Sequence, residues 1–126
     1  MSKTMRKAIS DSMEAMGLNY QYQEWKTEPK YPYFVGEYQE MEAMNEDGMQ
    51  ESIFILTGFT RGDDLELETA KEKIKEYFSP VSGYRVRTRD GVLAIFYAYT
   101  LANIPTGDAE LKKIQINLNI KEWKGL

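Results

Sequence analysis

The chain has 126 residues, of which 42% are hydrophobic and 29% charged, so it can bury the core of one domain without a metal or disulfide. Its 16 basic and 20 acidic residues give a net charge of -4, whereas a generic nucleic-acid binder is usually basic. It contains no Cys and no His, which excludes disulfides, thiolate chemistry and imidazole acting as general base or zinc ligand. Residues 1–126 are therefore expected to form a single domain.

No apolar run approaches the roughly 20 residues that a membrane-spanning helix needs. The N-terminus is basic, but no apolar segment of the kind found in signal peptides follows it. We therefore expect the chain to be made in the cytoplasm and to have no membrane partner.

The first predicted element is an N-terminal helix. Residues that suit a buried helix face recur at helical spacing, namely Met5, Ile9, Ser12, Met13 and Met16. Gly17 followed by Leu18 is typical of a helix end with a left-handed glycine cap and an apolar contact after it. Tyr20, Tyr22 and Trp25 then allow a short strand, which Pro29 interrupts.

A hairpin is predicted next. Tyr31–Met41 is rich in aromatic and β-branched residues, Asn45–Gly48 is a turn signal, and Gln50–Thr60 resumes as a strand. Pro32 should lie at the start of the first strand or on an edge. Ile53–Leu56 is apolar on both faces, which predicts a strand that is central or lies beneath something.

The central helix follows that hairpin. Its predicted apolar stripe consists of Leu67, Ala70, Ile74, Tyr77 and Phe78. Asp63 and Glu66 have the spacing of a capping box, and Pro80 should end the helix. A metal site is an alternative interpretation of the acidic residues Asp63, Asp64, Glu66 and Glu68, but the helix cap is the simpler explanation of them.

Two more strands are predicted around the turn Asp90-Gly91. In the first of them, Tyr84, Val86 and Thr88 alternate with Arg85, Arg87 and Arg89. The second, Val92–Leu101, should present Leu93, Ile95, Tyr97 and Tyr99 on one face, and residues 102–110 form a connecting loop.

The final strand has the clearest pattern in the chain. Its apolar face consists of Ile114, Ile116, Leu118 and Ile120, and its polar face of Lys113, Gln115, Asn117, Asn119 and Lys121. The polar face is mostly amide and offers no acid, base or nucleophile at neutral pH. It indicates a surface that forms hydrogen bonds to a partner.

The order of elements predicts an α+β fold. We expect a mainly antiparallel sheet of about five strands in hairpins, with an N-terminal helix and one central amphipathic helix packed on it. Gly58, Gly62 and Gly83 are spaced as turns and bends, and no glycine-rich phosphate loop is present.

Two segments are candidates for contacts with a partner. Arg85, Arg87 and Arg89 would place about three positive charges over ~13 Å of one strand, to bind phosphate or an acidic neighbouring subunit, or simply to form a solvated face. The predicted hairpin combines aromatic and Met residues with the acidic segment 37–51, which suits subunit contact or completion of a small core. The candidate interface residues are Tyr38, Met41, Glu42, Met44, Glu46, Arg85, Arg87 and Arg89.

One enzymatic alternative is visible. Asp108 with Glu122 and Lys124 faintly resembles the Asp…Glu-x-Lys of a magnesium nuclease, in which two carboxylates hold the metal and the Lys stabilises the attacking water. Glu-x-Lys arises easily by chance in so charged a chain, and Glu110–Lys112 is a second copy. We expect no catalytic residue, resident metal or cofactor.

Three segments resemble local sequences of phage proteins: Tyr31–Glu37, Asp47–Phe59 and Ile104–Asn117. An amphipathic helix lies between the second and the third. With the order of elements, they are similar to tail terminator (tail completion) and neck proteins from the morphogenesis module of long-tailed bacteriophages or prophages. The resemblance extends from about Leu18 to Trp123.

The resemblance implies a non-enzymatic, minor structural protein of the virion. Such a protein forms a ring, typically hexameric, that caps the tail tube and docks it to the head connector. Its expected partners are other copies of itself, the tail tube protein and the connector proteins, and DNA would pass through the lumen without specific binding. Its expected location is the virion neck, and the host cytoplasm during assembly. The alternatives are the nuclease above and a monomeric inhibitor that binds one host target.

Overall fold

The computed structural model describes residues 3–23, 28, 30–40, 48–89 and 91–124. The elements are α1 (Lys3–Ala15), β1 (Asn19–Tyr22), β2 (Tyr33–Glu40), β3 (Met49–Thr60), α2 (Asp64–Tyr77), β4 (Tyr84–Arg87), β5 (Gly91–Leu101) and β6 (Lys112–Lys124). The strands form one sheet in the order β1-β2-β3-β6-β5-β4. Every pairing is antiparallel except the parallel pair of β1 and β2.

The mixed α+β architecture and the mainly antiparallel sheet are confirmed. The sheet has six strands rather than about five, because the segment around Tyr20 and Tyr22 joins it as the parallel edge strand β1. The predicted apolar face of β6 is buried as expected. Neither described helix is long and apolar enough to cross a membrane.

The core lies between the two helices and one face of the sheet. The helices contribute Met5, Ile9 and Met13 from α1 and Leu67, Ala70 and Ile74 from α2. The strands contribute alternate residues, among them Phe34, Phe54, Leu56, Ile95 and Leu118. All of these strand residues point to the same side of the sheet, so the opposite face is left to other contacts.

The end of α1 follows the predicted glycine cap. Gly17 has a φ of +73°, a conformation that L side chains rarely adopt. The Leu18 N–H donates to the Met13 carbonyl at 3.0 Å, and the Gly17 N–H donates to the Glu14 carbonyl at 2.9 Å. These two bonds are the Schellman arrangement, and they turn the chain from α1 directly into β1.

The start of α2 is the predicted capping box. The Leu65 N–H donates to Asp63 Oδ1 at 3.0 Å, and the Asp63 N–H donates to Glu66 Oε1 at 3.2 Å. The carboxylates of Asp63 and Glu66 thus satisfy backbone donors that the helix itself cannot pair.

Replacing Asp63 by alanine should lower the free energy of unfolding by about 0.5–2 kcal/mol, because the cap acceptor is lost. Chemical denaturation followed by circular dichroism measures the change. Asp63→Asn is the matched control, since asparagine caps as well as aspartate and should leave stability nearly unchanged. Equal losses in the two variants would contradict this role of the side-chain oxygen.

Gly58 is not at a bend, as its spacing suggested, but inside β3. A Cβ atom at this position would lie 2.5 Å from Cε1 of the buried Phe34 ring. The missing side chain therefore makes room for an aromatic ring of the neighbouring strand β2.

We expect Gly58→Ala to destabilise the fold by about 1–3 kcal/mol through overpacking. Thermal and chemical unfolding of the single variant would measure this cost. The same change in a Phe34→Leu background should cost clearly less, since the ring that obstructs the new methyl group is gone. A cost that does not depend on residue 34 would refute the packing explanation.

One predicted face assignment is wrong. Tyr99 was expected to share a face with Leu93, Ile95 and Tyr97, but the β5–β6 register shifts between Tyr97 and Tyr99. The extra residue reverses the alternation of side chains, as in a β-bulge. Tyr99 therefore lies opposite Asn117, on the face away from the helices, and is 53% exposed.

Candidate functional site

The sheet face opposite the helices, which we call the open face, is the most extended candidate surface. Neither α1 nor α2 covers it within the part of the chain that the structure describes. Its residues include Val35 and Glu37 of β2, Glu51, Ile53, Ile55, Thr57 and Phe59 of β3, the polar residues of β6, and Val92, the buried Ala94, Phe96, Tyr99 and Leu101 of β5. It is a broad surface with a polar centre and apolar flanks.

The polar centre is a line of hydrogen-bond donors along β6, the donor stripe: Lys113, Gln115, Asn117, Asn119 and Lys121. Lys121 Nζ lies 3.9 Å from Glu51 Oε1, and Gln115 Nε2 donates to Asn117 Oδ1 at 3.4 Å. Lys and the amides carry eight or more N–H bonds along this line, far more than these two contacts use. The donor stripe is therefore suited to a partner rich in acceptors.

Asn117 is less accessible than a face that forms hydrogen bonds to a partner would require. It is only 4% exposed, and it lies between Ile55 of β3 and Tyr99 of β5. Among the described residues its Nδ2 amide has no hydrogen-bond partner. A buried, unpaired N–H is unfavourable, so this amide costs the isolated chain some stability.

Apolar side chains flank the donor stripe. Ile53 and Ile55 belong to the apolar run in β3, and on the open face they are only half buried. On the other side, Tyr99 is 53% exposed and Leu101 is 47% exposed. A polar line with partly exposed apolar and aromatic side chains on both sides is a combination that protein–protein interfaces use.

The arginine stripe lies at one edge of the same face. Arg85 and Arg87 are in the edge strand β4 and are exposed, and Arg89 is exposed just beyond it. The alternation predicted for this segment is thus present. Arg85 lies opposite Ala94, which in turn lies opposite Lys121, so the arginines and the donor stripe share the open face.

Of the candidate interface residues in the acidic hairpin, the structure describes Tyr38. Met41, Glu42, Met44 and Glu46 lie outside the described residues. Tyr38 is on the helix side of β2, half buried against the core, where its hydroxyl accepts a long hydrogen bond from Ser52 Oγ at 3.4 Å. Three strands separate β2 from β4, which places these two strands about 19 Å apart.

The nuclease residues are not brought together. Asp108 lies before the start of β6, where its carboxylate pairs with Arg61 at 2.9 Å, whereas Glu122 lies near the other end of that strand. Asp108 precedes Lys112, and the ten residues from Lys112 to Glu122 already span about 33 Å of extended strand. The side chain of Lys124 lies outside the described residues. Within the described chain, no three acidic residues are grouped to hold a metal ion.

Asp108 serves the loop that leads into β6. The N–H of Glu110 donates to its carboxylate, and this bond, followed by the Arg61 guanidinium, lowers the pKa of Asp108. Lys112 Nζ donates to the Gly62 carbonyl at 2.9 Å. The Arg61–Asp108 ion pair thus ties the 102–111 loop to the turn before α2, and the Lys112 contact ties the start of β6 to the same turn.

The outer surface of α2 carries a second charged line that sequence reasoning missed. Every fourth residue is acidic and exposed, and we call this set the acidic stripe: Asp64, Glu68, Glu72 and Glu76. Lys71 pairs with Glu68 at 2.8 Å and with Glu72 at 3.3 Å. The four-residue spacing is visible in the sequence, but a helix cap accounts for Asp64 and Glu68 without a stripe.

Beside the acidic stripe lies an apolar feature. Leu65 is 66% exposed in the first turn of α2. It borders a groove of about 430 Å³, which is lined by Leu18, Pro32, Asp63, Leu65, Glu66, Thr69, Ala70 and Lys73. The outer side of α2 therefore offers both acceptors and an apolar contact.

No protein-family model matches the chain, and no curated protein matches it in sequence. Among solved structures, one whose name gives no function superposes with a TM-score of 0.67 at 14% sequence identity. The match covers 97% of this chain and 96% of that one. At this identity the likeness shows that the two proteins share a fold over their whole lengths.

Proposed function

We propose that this protein is a non-enzymatic phage virion assembly protein. In this proposal it is a tail terminator or head–tail joining subunit that forms a hexameric ring at the top of the tail tube. Its partners are further copies of itself, the tail tube protein and the head connector, and DNA crosses the lumen without specific binding. The ring belongs to the virion neck and assembles in the host cytoplasm.

The open face carries this proposal. A six-stranded sheet with an uncovered face, a line of donors and half-exposed apolar flanks is built to bind another macromolecule. Lysine and amide side chains on such a face hold a partner by hydrogen bonds and charge. The phage part of the proposal is supported by the resemblance of Tyr31–Glu37, Asp47–Phe59 and Ile104–Asn117 to tail terminator and neck proteins.

A ring also needs two different patches on each subunit, so that every copy gives one and receives the other. This chain carries charged surfaces of opposite sign on opposite sides. The arginine stripe and the donor stripe lie on the open face, and the acidic stripe lies on the outer surface of α2. That distribution favours a head-to-tail contact, which closes into a ring when the rotation per subunit allows it.

Phage particles assembled without this protein should have tails of abnormal length or tails detached from heads, as seen by negative-stain electron microscopy. Supplying the protein from a plasmid should restore normal particles. Normal infectious particles in its absence would refute the proposal.

The mass of the purified protein, alone and after addition of isolated tail tubes, is the complementary measurement. We expect ring-sized mass or stoichiometric binding to tube ends once tubes are present. A protein that remains unbound and monomeric beside tail tubes would contradict a role at the tube end.

A further inference from the structure

We infer that the open face of one subunit binds the outer surface of α2 of a second copy of this chain. The inference rests on the proposed ring and names the two surfaces that form its subunit contact. The donor stripe is the centre of one surface, and the acidic stripe is the centre of the other.

The size of the open face fits a stable contact. Six strands span about 24 Å across the sheet, and ten residues of a long strand span about 33 Å along it. The product is about 800 Å², which is the area that each partner contributes to a standard protein–protein interface. The open face can therefore accept one whole helix together with its flanking loops.

The chemistry of the open face selects an acidic occupant. The donor stripe has a lysine at each end and amides between them, of which Asn119 is exposed. Carboxylates are acceptors only, and each can accept several N–H bonds. A row of carboxylates would pair the lysines and accept hydrogen bonds from the exposed amide of Asn119.

The acidic stripe on α2 is such a row. Like charges four residues apart destabilise an isolated helix, so this spacing is unfavourable unless cations face it. Lys71 partly compensates Glu68 and Glu72 from the same helix. Asp64 and Glu76 are about 18 Å apart along the helix, which fits within the ~26 Å between Lys113 and Lys121.

Apolar contacts can accompany the charges. Leu65 is 66% exposed beside the acidic stripe, whereas Tyr99 and Leu101 are 53% and 47% exposed beside the donor stripe. The β-bulge in β5 is what turns Tyr99 toward the open face. The groove beside Leu65 gives such an aromatic or aliphatic side chain a place to pack.

The same argument disfavours a two-fold contact between two open faces. Packing the centre of one open face on another would bring the two lysines of one stripe close to the two lysines of the second, and like charges repel. When the open face of one copy instead packs on α2 of the next copy, helix layers and sheets alternate around the assembly. Each copy then gives α2 to one neighbour and its open face to the other, as a ring requires.

Charge reversal on each surface tests this contact. One variant is Lys113→Glu with Lys121→Glu, and the other is Glu72→Lys with Glu76→Lys. Sedimentation velocity of the full chain at low salt, with and without tail tubes, measures assembly. Each variant alone should assemble at least tenfold more weakly than the unmodified protein, because like charges then face each other.

An equimolar mixture of the two variants should regain assembly. In an alternating ring every reversed open face meets a reversed helix, and every unmodified face meets an unmodified helix. A hexamer has an even number of subunits, so this alternation closes. Lys3→Glu, an exposed reversal on α1, is the control and should assemble normally. Circular dichroism and thermal unfolding establish that all variants are folded.

Normal assembly of either variant alone, no recovery in the mixture, or an unmodified protein that stays monomeric with tail tubes would each overturn the inference. The outcome is separable from that of the proposed function. Reversals that alter self-assembly, beside normal particles made without the protein, would sustain the contact and refute the phage role. Defective particles without the protein, together with charge reversals that leave self-assembly unchanged, would sustain the phage role and refute the contact.

Discussion

Replacing Phe54 by alanine should lower the free energy of unfolding by about 3–5 kcal/mol, because a fully buried aromatic ring is lost from the core. The ring is fully buried in the middle of β3, 6.2 Å from the Tyr22 ring. It also fills the space above Gly36, where a Cβ atom would lie 2.6 Å from it. A domain of this size is stable by only about 5–15 kcal/mol, so the variant should be close to unfolding.

Urea denaturation at a protein concentration below self-assembly measures the loss, since assembly would add stability of its own. Phe59→Ala is the matched control, because the same side chain on the same strand points to the open face and is half buried. We expect it to lose less than half as much. Equal losses at the two positions would mean that the open face is as fully packed as the core in the isolated chain.

The elements that depend on neighbours in sequence could be predicted. The capping box of Asp63 and Glu66 and the cap at Gly17 are local arrangements of a few residues, and both form as expected. Apolar and polar residues alternate from Ile114 to Ile120, and this pattern alone predicts a strand with one buried face. Helices, strands and the α+β class follow from such local patterns.

The arrangement of the strands could not be predicted in the same way. β3 pairs with β6 across more than 50 residues of chain, and β1 joins β2 in parallel at the edge. Such pairings depend on packing between distant segments, which leaves no local signal. The bulge before Tyr99 is similar, since one extra residue in β5 shows only in its register with β6.

Features of the candidate site also differ in whether local sequence predicts them. The exposure of Arg85 and Arg87 and the polar face of β6 follow from alternation alone, whereas the burial of Asn117 depends on its neighbours in other strands. Asp108 and Glu122 are close in sequence, but an extended strand lies between them and separates them in space. Local spacing therefore predicts which surface a residue occupies better than which residues meet.

Arg87→Glu should weaken assembly and leave the isolated fold intact, because the side chain is exposed on the edge strand β4 and does not touch the core. We expect the arginine stripe to receive the acidic hairpin of the next subunit, the segment that holds Glu42 and Glu46. Each well-buried Arg–carboxylate pair would contribute about 1–3 kcal/mol, and each solvent-exposed pair about 0–1 kcal/mol. Loss of one buried pair per interface then weakens the contact by about five- to more than a hundredfold.

The partner of the arginine is tested by a second reversal. Glu42→Arg or Glu46→Arg should partly restore assembly to Arg87→Glu, whereas the control Glu110→Arg, an exposed acid in the 102–111 loop, should not. The difference between Arg87→Glu and the unmodified protein should also shrink as salt is added, because salt screens exposed charges at distances beyond about 10 Å at 0.1 M. Sedimentation at low salt gives the decisive comparison, since attraction between the stripes is strongest there. If Arg87→Glu assembles at low salt like the unmodified protein, β4 does not carry the subunit contact, and the donor stripe must hold the neighbouring subunit without it.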